Sequence, residues 1–307
     1  MSLYEEKGAE SRMNRLVKAA MFVPVTLAFV LAVSLLPLLL QLDGDGGSLR
    51  LHWSQSLAGL SDYMAGIVSG DSFRFISGKY EYSFWERIGA SFQVSLFYIG
   101  AGGLIGMTVG MMIGVYFSLS RAEWLKRSVE LIGALPDFVM ILLLQFSVVY
   151  IASLTGAVVF QVASLSTDDP AIALPLISSA LIPANYMIRN TATQMKLTLS
   201  EDYIGFAKAR GLSKSHIVFY HALPNVLPFF KADLHKLLGI LMGNIFVVEY
   251  LYNLNGVTMF LFSDAFGFGG YQYALVVNGL MTLIVLYAIV YALLRLYLWG
   301  WEKVIAR

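Results

Sequence analysis

Long apolar stretches broken by short polar ones dominate the chain. Ala19–Leu42, Ile88–Ser120, Pro170–Ile188 and Ala265–Leu294 carry no charged residue. Leu131–Thr167 holds only Asp137, and Leu234–Leu254 has His235, Lys236 and Glu249 near its ends. A helix of about 20 apolar residues crosses a hydrocarbon core. The pattern therefore predicts an all-α integral membrane protein with about six transmembrane helices, the fifth being the least clean. The first run contains Pro24 and Pro37 and lacks a small-residue cleavage site. It reads as a retained anchor rather than a secretory signal.

Between the fourth and fifth runs lies a polar segment, Glu201–Pro228, EDYIGFAKARGLSKSHIVFYHALPNVLP. Ser200 is placed to cap a helix whose first turn carries Glu201 and Asp202, both favourable at the positive end of the dipole. Tyr203, Phe206 and Ala207 at i, i+3 and i+4 predict one apolar face. Lys208 and Arg210 fill the last turn, and Gly211 suits a left-handed residue that ends it. Ser213 then caps a second short helix, with Leu212 and Ile217 as a hydrophobic staple. Pro224 and Pro228 are expected to close the segment. The result is a bent helix–Gly–helix device with an exposed tip near Gly211–Ser215. It suits transmission of displacement from a soluble partner, or adsorption to anionic lipid through its basic residues.

Composition agrees with a membrane protein: 58% hydrophobic and 13% charged, against about 45–50% and about 25% in soluble domains. Cysteine is absent, which excludes disulfides and thiolate chemistry. The net charge of +1 is uninformative, but its distribution is not. Let the N-terminus lie inside and six spans alternate. Lys7, Arg12, Arg15 and Lys18 then fall inside, as do Arg121, Lys126 and Arg127. So do Arg189, Lys196, Lys208, Arg210, Lys214, Lys231, Lys236, Arg295, Lys303 and Arg307, leaving only Arg50, Arg74, Lys79 and Arg87 outside. Because Lys and Arg concentrate on the cytoplasmic side, both termini and Glu201–Pro228 are expected there. The 43–87 loop is expected outside, either as a small cap with a short amphipathic helix near Leu57–Ile67 or as a loosely ordered loop. Ser153–Asp169 reads as a shorter outside loop.

Within the second run, Gly102, Gly106, Gly110 and Gly114 recur every four residues. Small residues at that spacing let helices approach closely in lipid, so packing is expected rather than a ligand site. Ionisable groups inside a membrane tend to face cavities or partners. Asp137, Glu249 and, more weakly, Asn244 are therefore candidates for lining a path, with interhelical hydrogen bonding as the alternative. No catalytic residue or protein-bound metal is expected. The chain has no G-x-x-x-x-G-K-[ST] loop, Gly78-Lys79 being followed by Tyr80. It has no H-E-x-x-H or nucleophile elbow either, and His52, His216, His221 and His235 lack ligand spacing.

Gly211 is followed, after eleven residues, by Leu223-Pro224. This spacing resembles the cytoplasmic motif of binding-protein-dependent ABC importer permeases, which runs E-A-A, three residues, G, nine residues, I, one residue, L-P. The first three positions here are Gly205, Phe206 and Ala207, and the isoleucine position is His221. The fuller string is similar to the peptide and nickel branch of that family. It comprises Glu201, Asp202, Tyr203, Ala207, Ala209, Gly211, Leu212, Ser213, His221, Ala222, Leu223, Pro224 and Asn225. Val247-Val248-Glu249 before Asn255-Gly256-Val257 resembles the family's V-V-E and P-G-L-G turn, with Asn255 in place of proline. Leu135-Pro136 with Phe138 resembles the S-x-P-x-F entry to the third span. The likeness covers residues 90–300, and the long first loop suits the first of two permeases.

The resemblance implies the type I ABC importer permease fold, a single 1–307 permease domain with a 90–300 core and the 201–228 segment as an ATPase-coupling loop. It implies a second related permease, two cytoplasmic ABC ATPases and an extracytoplasmic solute-binding protein as partners, in a bacterial cytoplasmic membrane. No cofactor belongs to this chain, ATP and Mg being held by the ATPases, and neither catalysis nor nucleic-acid binding is implied. Peptides or a related small solute would be the cargo. The other readings are a secondary transporter or channel working without ATPases, for which no inverted repeat is visible, and a membrane anchor for a cytoplasmic partner.

Overall fold

The computed structural model describes residues 21, 23–42, 49–120, 123–166, 169–267 and 270–305. Lys7, Arg12, Arg15, Lys18, Arg121, Arg307 and the start of the 43–87 loop lie outside the described residues. Each apolar run forms a helix. In chain order the helices are α1 (Val23–Leu39), α2 (Trp53–Ser69), α3 (Phe84–Leu119), α4 (Glu123–Ile132) and α5 (Asp137–Thr155). They continue with α6 (Ala173–Leu199), α7 (Asp202–Ala209), α8 (Leu223–Leu251), α9 (Val257–Asp264) and α10 (Tyr273–Ile305).

Among the described residues, four helices are long and apolar enough to cross a membrane: α3, α5, α10 and the continuous helix Lys214–Leu251 that contains α8. The first run gives the shorter apolar helix α1, interrupted by a turn at Leu35 before Pro37. The fourth run gives α6, whose 27 residues suffice in length. Asn185, Arg189, Asn190 and Gln194 make its second half less apolar. The third run yields a shorter span than its hydropathy suggests. Pro136 ends the preceding turn, so α5 begins at Asp137, and the chain leaves the helix at Gly156, whose φ of 72° is left-handed. Asp137 therefore occupies the mouth of this span rather than its middle.

The chain divides into two compact units. One comprises the described residues up to Ile88 together with Leu261–Ile284. Its core packs Val30, Tyr63, Tyr273 and Val277, with Leu31, Leu35, Leu38 and Leu60 around them. Tyr63 donates to Asn278 Oδ1 at 3.0 Å, and Asn278 Nδ2 donates to the Ser72 carbonyl at 2.7 Å. Two hairpins complete it: β1 (Leu40–Leu42) with β2 (Leu49–Leu51), and β3 (Arg74–Ser77) with β4 (Tyr80–Ser83). Gln272 clips the second, accepting from the Ile76 N–H and donating to the Ile76 carbonyl, both at 2.7 Å. The helix α2 covers the stretch where a short amphipathic helix is expected.

The second unit comprises Gly89–Phe260 with Val285–Arg307. One close seam is α3 against α6. A Cβ on Gly102 would lie 2.6 Å from Ser179 Cβ, and one on Gly110 would lie 2.4 Å from Met187 Cβ. Gly106 meets the Ala180 carbonyl at 2.6 Å, and Gly114 meets Thr191 Cβ at 2.5 Å. All four glycines serve one helix contact, at distances no other residue permits. In lipid such packing substitutes for the missing hydrophobic drive between helices. A core of Tyr98, Ile141, Val148, Leu174, Val248 and Tyr252 lies at one end of these helices. There Gln145 donates to the carbonyls of Val162 and Leu251 at 2.8 and 2.9 Å, tying Val162 to α5 and α8.

Candidate functional site

An open cavity of roughly 810 Å³ lies within the second unit. Its walls come from the start of α5, the second half of α6 and the first half of α8. Asn185 and Arg189 stand one turn apart on α6, as do Tyr186 and Asn190, so four-residue spacing lines the wall with polar groups. From α8, Asp233 and Lys236 face the same space. Asp233 accepts from the Tyr186 hydroxyl and from Asn190 Nδ2, the latter at 2.7 Å. Lys236 Nζ lies 5.2 Å from the centre of the Tyr186 ring, within cation–π range. Those contacts knit α6 to α8 while leaving the rest of the cavity open.

Asp137 lines this cavity from α5. Asn244 and Glu249 do not. They border a separate void of roughly 20 Å³. Glu249 is 1% exposed. Its carboxylate accepts from Ser95 Oγ, from Thr258 Oγ1, and from the N–H groups of Thr258 and Met259 at 2.9 and 3.0 Å. Ser95 Oγ in turn accepts from the Val257 N–H at 2.8 Å. The pair satisfies the free N–H groups of the first turn of α9, where a negative charge is favoured. Gly256 is required beside it, since a Cβ there would lie 2.1 Å from Glu249 Cδ. The V-V-E stretch and the Asn255-Gly256-Val257 turn are thus two halves of one helix cap.

The Glu201–Pro228 segment joins two walls of the cavity. α6 ends at Leu199, two residues before Glu201. Three details differ from the sequence reading. Ser200 closes α6, its hydroxyl donating to the Leu197 carbonyl at 2.6 Å, so Glu201 takes the cap position of α7. A helix cannot start before its predecessor has ended, and the cap moves by one residue. The buried face of α7 is Ile204 and Ala207 rather than Tyr203 and Phe206. Tyr203 is exposed, and Phe206 is 72% exposed. Pro224 and Pro228 do not close the segment. A widened helical stretch, Ile217–Ala222, runs directly into α8 and leaves room for the Pro224 ring, which sits in that helix's first turn.

Other expected features stand as drawn from the sequence. Gly211 has φ 77°, and Ser213 Oγ accepts from the His216 N–H at 3.3 Å. Glu201, Asp202, Ala209, Gly211 and Ser213 are exposed along with Tyr203, whereas Ala207, Ala222 and Leu223 are buried and Leu212, His221 and Pro224 half-buried. Asn225 Nδ2 donates to the Tyr203 hydroxyl at 3.1 Å, fastening α7 to the start of α8. Phe219 and Tyr220 join Phe206 as exposed aromatics of the segment.

Sequence reasoning passed over Asn185, Tyr186, Arg189, Asn190, Asp233 and Lys236. For the four on α6 the signal was the recurrence of polar groups every four residues, whereas Asp233 and Lys236 stand three residues apart on α8.

The sequence family described as binding-protein-dependent transport system inner membrane component matches residues 106–299. The chain belongs to that family. Together with the four apolar helices this makes it a multi-pass inner-membrane protein. The dipeptide transport system permease DppB of Bacillus subtilis is 29% identical over 160 residues, 50% of this chain and 49% of that protein. The metal-staphylopine import permease CntB of Staphylococcus aureus is 25% identical over 176 residues, 56% of this chain and 54% of its own. The chain thus spans about half the length of these two permeases. Against DppB of Escherichia coli K12 the identity is 26% over 251 residues, 72% of each chain. Among solved structures, an inward-facing MetNI methionine ABC transporter chain aligns with a TM-score of 0.52 at 16% identity. The alignment covers 73% of this chain and 98% of that chain, and it establishes the type I importer permease fold.

Proposed function

We propose that the chain is the permease subunit of an ATP-driven importer. In this reading it forms half of the translocation path and receives motion from cytoplasmic ATPases through Glu201–Pro228. The observation that carries the reading is the connection itself. One compact segment, bent at a left-handed Gly211, joins α6 and α8, and those helices supply most of the cavity wall. A displacement of its tip would be passed to both walls at once. The charge distribution puts that tip in the cytoplasm with both termini. Exposed Phe206, Phe219 and Tyr220 give it the apolar surface that a protein groove needs, more than an anionic bilayer would.

The relatives named for dipeptides and metal–staphylopine support a peptide or related small solute as cargo. A second, related permease, two ATPases that hold ATP and Mg, and an extracytoplasmic binding protein complete the assembly. The chain itself is non-catalytic, and Asp137 is its path-lining residue. The test is co-purification with the ATPases, followed by uptake in proteoliposomes with and without ATP. Gly211→Val forces a β-branched residue into a left-handed conformation. It should lower uptake per ATP hydrolysed at least tenfold. Uptake without ATP and without an ATPase would refute the reading.

A further inference from the structure

We propose that α2 is an interfacial helix, lying along the extracytoplasmic surface of the bilayer with one apolar side in the lipid. The helix runs for 17 residues, Trp53–Ser69, about 25 Å at 1.5 Å per residue. With 3.6 residues per turn, Trp53, Leu57, Met64 and Val68 fall within about 60° of one another around its axis. A helix that served only a globular cap would turn such a stripe inwards. Here the stripe is exposed, Trp53 to 62%, Leu57 to 61% and Val68 to 92%, with Met64 exposed as well.

A different side of α2 meets the protein. Its buried residues are Ser56, Tyr63 and Gly66. Gly59 belongs to that side, since a Cβ there would lie 2.8 Å from Leu38 Cδ1. The Tyr63 ring stands edge-on to Tyr273, their centres 5.7 Å apart, and the Tyr63 carbonyl accepts from Ser72 Oγ at 2.7 Å. Gln55 and Asp62 are exposed on the remaining side, roughly opposite the stripe. The helix thus has one side for protein, one for water and one for an apolar medium.

Depth and charge name that medium as lipid. The His52 N–H donates to the Leu39 carbonyl at 2.9 Å, so α2 starts where α1 ends. Leu60 and Tyr63 share one core with Val30, Leu35 and Leu38 of α1 and with Tyr273 and Val277 of α10. Those last two belong to the first turns of a helix long and apolar enough to cross a membrane. A helix packed on the ends of such helices sits at the bilayer boundary, not clear of it. α2 carries no Lys or Arg, and its single acid, Asp62, lies away from the stripe, so attachment rests on apolar contact and not on anionic headgroups. Interfacial helices bury their apolar side about 5–10 Å into the boundary between headgroups and acyl chains. Trp is favoured at that depth, which fits Trp53 at the head of the stripe.

The chain has no cysteine, so Leu57→Cys, Met64→Cys and Asp62→Cys each take one nitroxide spin label. The labelled permease is studied in its assembly with the ATPases, whose own cysteines are replaced, in phosphatidylcholine nanodiscs. Collision with oxygen, relative to a water-soluble nickel chelate, should be at least fivefold higher at positions 57 and 64 than at 62. The same contrast is expected in phosphatidylglycerol nanodiscs and after the binding protein is added. Trp53 gives a second reading in the permease without any label. The emission lost in Trp53→Phe should be the part that bromine-labelled lipid quenches in the wild type. Equal ratios at all three positions, with Trp53 unquenched, would overturn the proposal by placing the stripe in water. A contrast seen only in phosphatidylglycerol would overturn the charge-free attachment. Shielding of positions 57 and 64 from both reagents would assign the stripe to a protein partner instead, and shielding only after the binding protein is added would name that partner.

Discussion

Glu249 decides between a path-lining carboxylate and a structural one, and the structure supplies the magnitudes. Its side chain accepts hydrogen bonds from Ser95, Met259 and two groups of Thr258. Hydrogen bonds to a charged group contribute about 1.5–3 kcal/mol each, without simple additivity. Glu249→Ala also strands the N–H groups at the start of α9, so a loss of about 3–5 kcal/mol is expected. Glu249→Gln is the sharper probe. Its amide oxygen retains the three bonds from Thr258 and Met259, and only the contact with Ser95 must rearrange, a loss of about 1 kcal/mol. Gly256→Ala should match Glu249→Ala, because a Cβ 2.1 Å from Glu249 Cδ cannot coexist with the carboxyl. Thermal unfolding by circular dichroism in detergent gives the stability order, and proteoliposome uptake gives function. A structural carboxylate requires uptake to track stability across the three variants. If Glu249→Gln melts like wild type yet transports tenfold less, the carboxylate belongs to the path and the capping account is wrong.

The glycine seam makes a paired prediction. Gly110→Ala places a methyl 2.4 Å from Met187 Cβ and should destabilise by about 1–3 kcal/mol. Gly243→Ala has open space around it and should be neutral or stabilising by up to about 1 kcal/mol, both read from chemical unfolding. Ser213→Ala removes the cap on His216 N–H, and about 1 kcal/mol of local stability should go with it, seen as faster hydrogen exchange over Lys214–His216. Gln272→Ala cuts the clip on Ile76, so exchange at Arg74–Ser83 should rise at least tenfold while the second unit's amides are unaffected.

Sequence alone determined the class of this protein, the position of its helices and the bent polar segment. Those features are periodic or local. A charge-free run reports its solvent, a Gly after Lys208 and Arg210 reports a left-handed stop, and glycines every fourth residue report a close helix contact. The likeness to importer permeases was legible for the same reason, being carried by fixed spacing around Gly211. Tertiary structure decided the partners. It turned Glu249 from a candidate for the path into the cap of α9, because its partners lie across a turn and on another helix. It exposed Phe206 and buried Ile204, since a helix of 8 residues is too short for its pattern to fix which face is buried. It also assembled Asn185, Arg189 and Asp137 around one cavity from two successive helices. Hydropathy reports each residue's environment one at a time, and a binding site depends on which residues face each other.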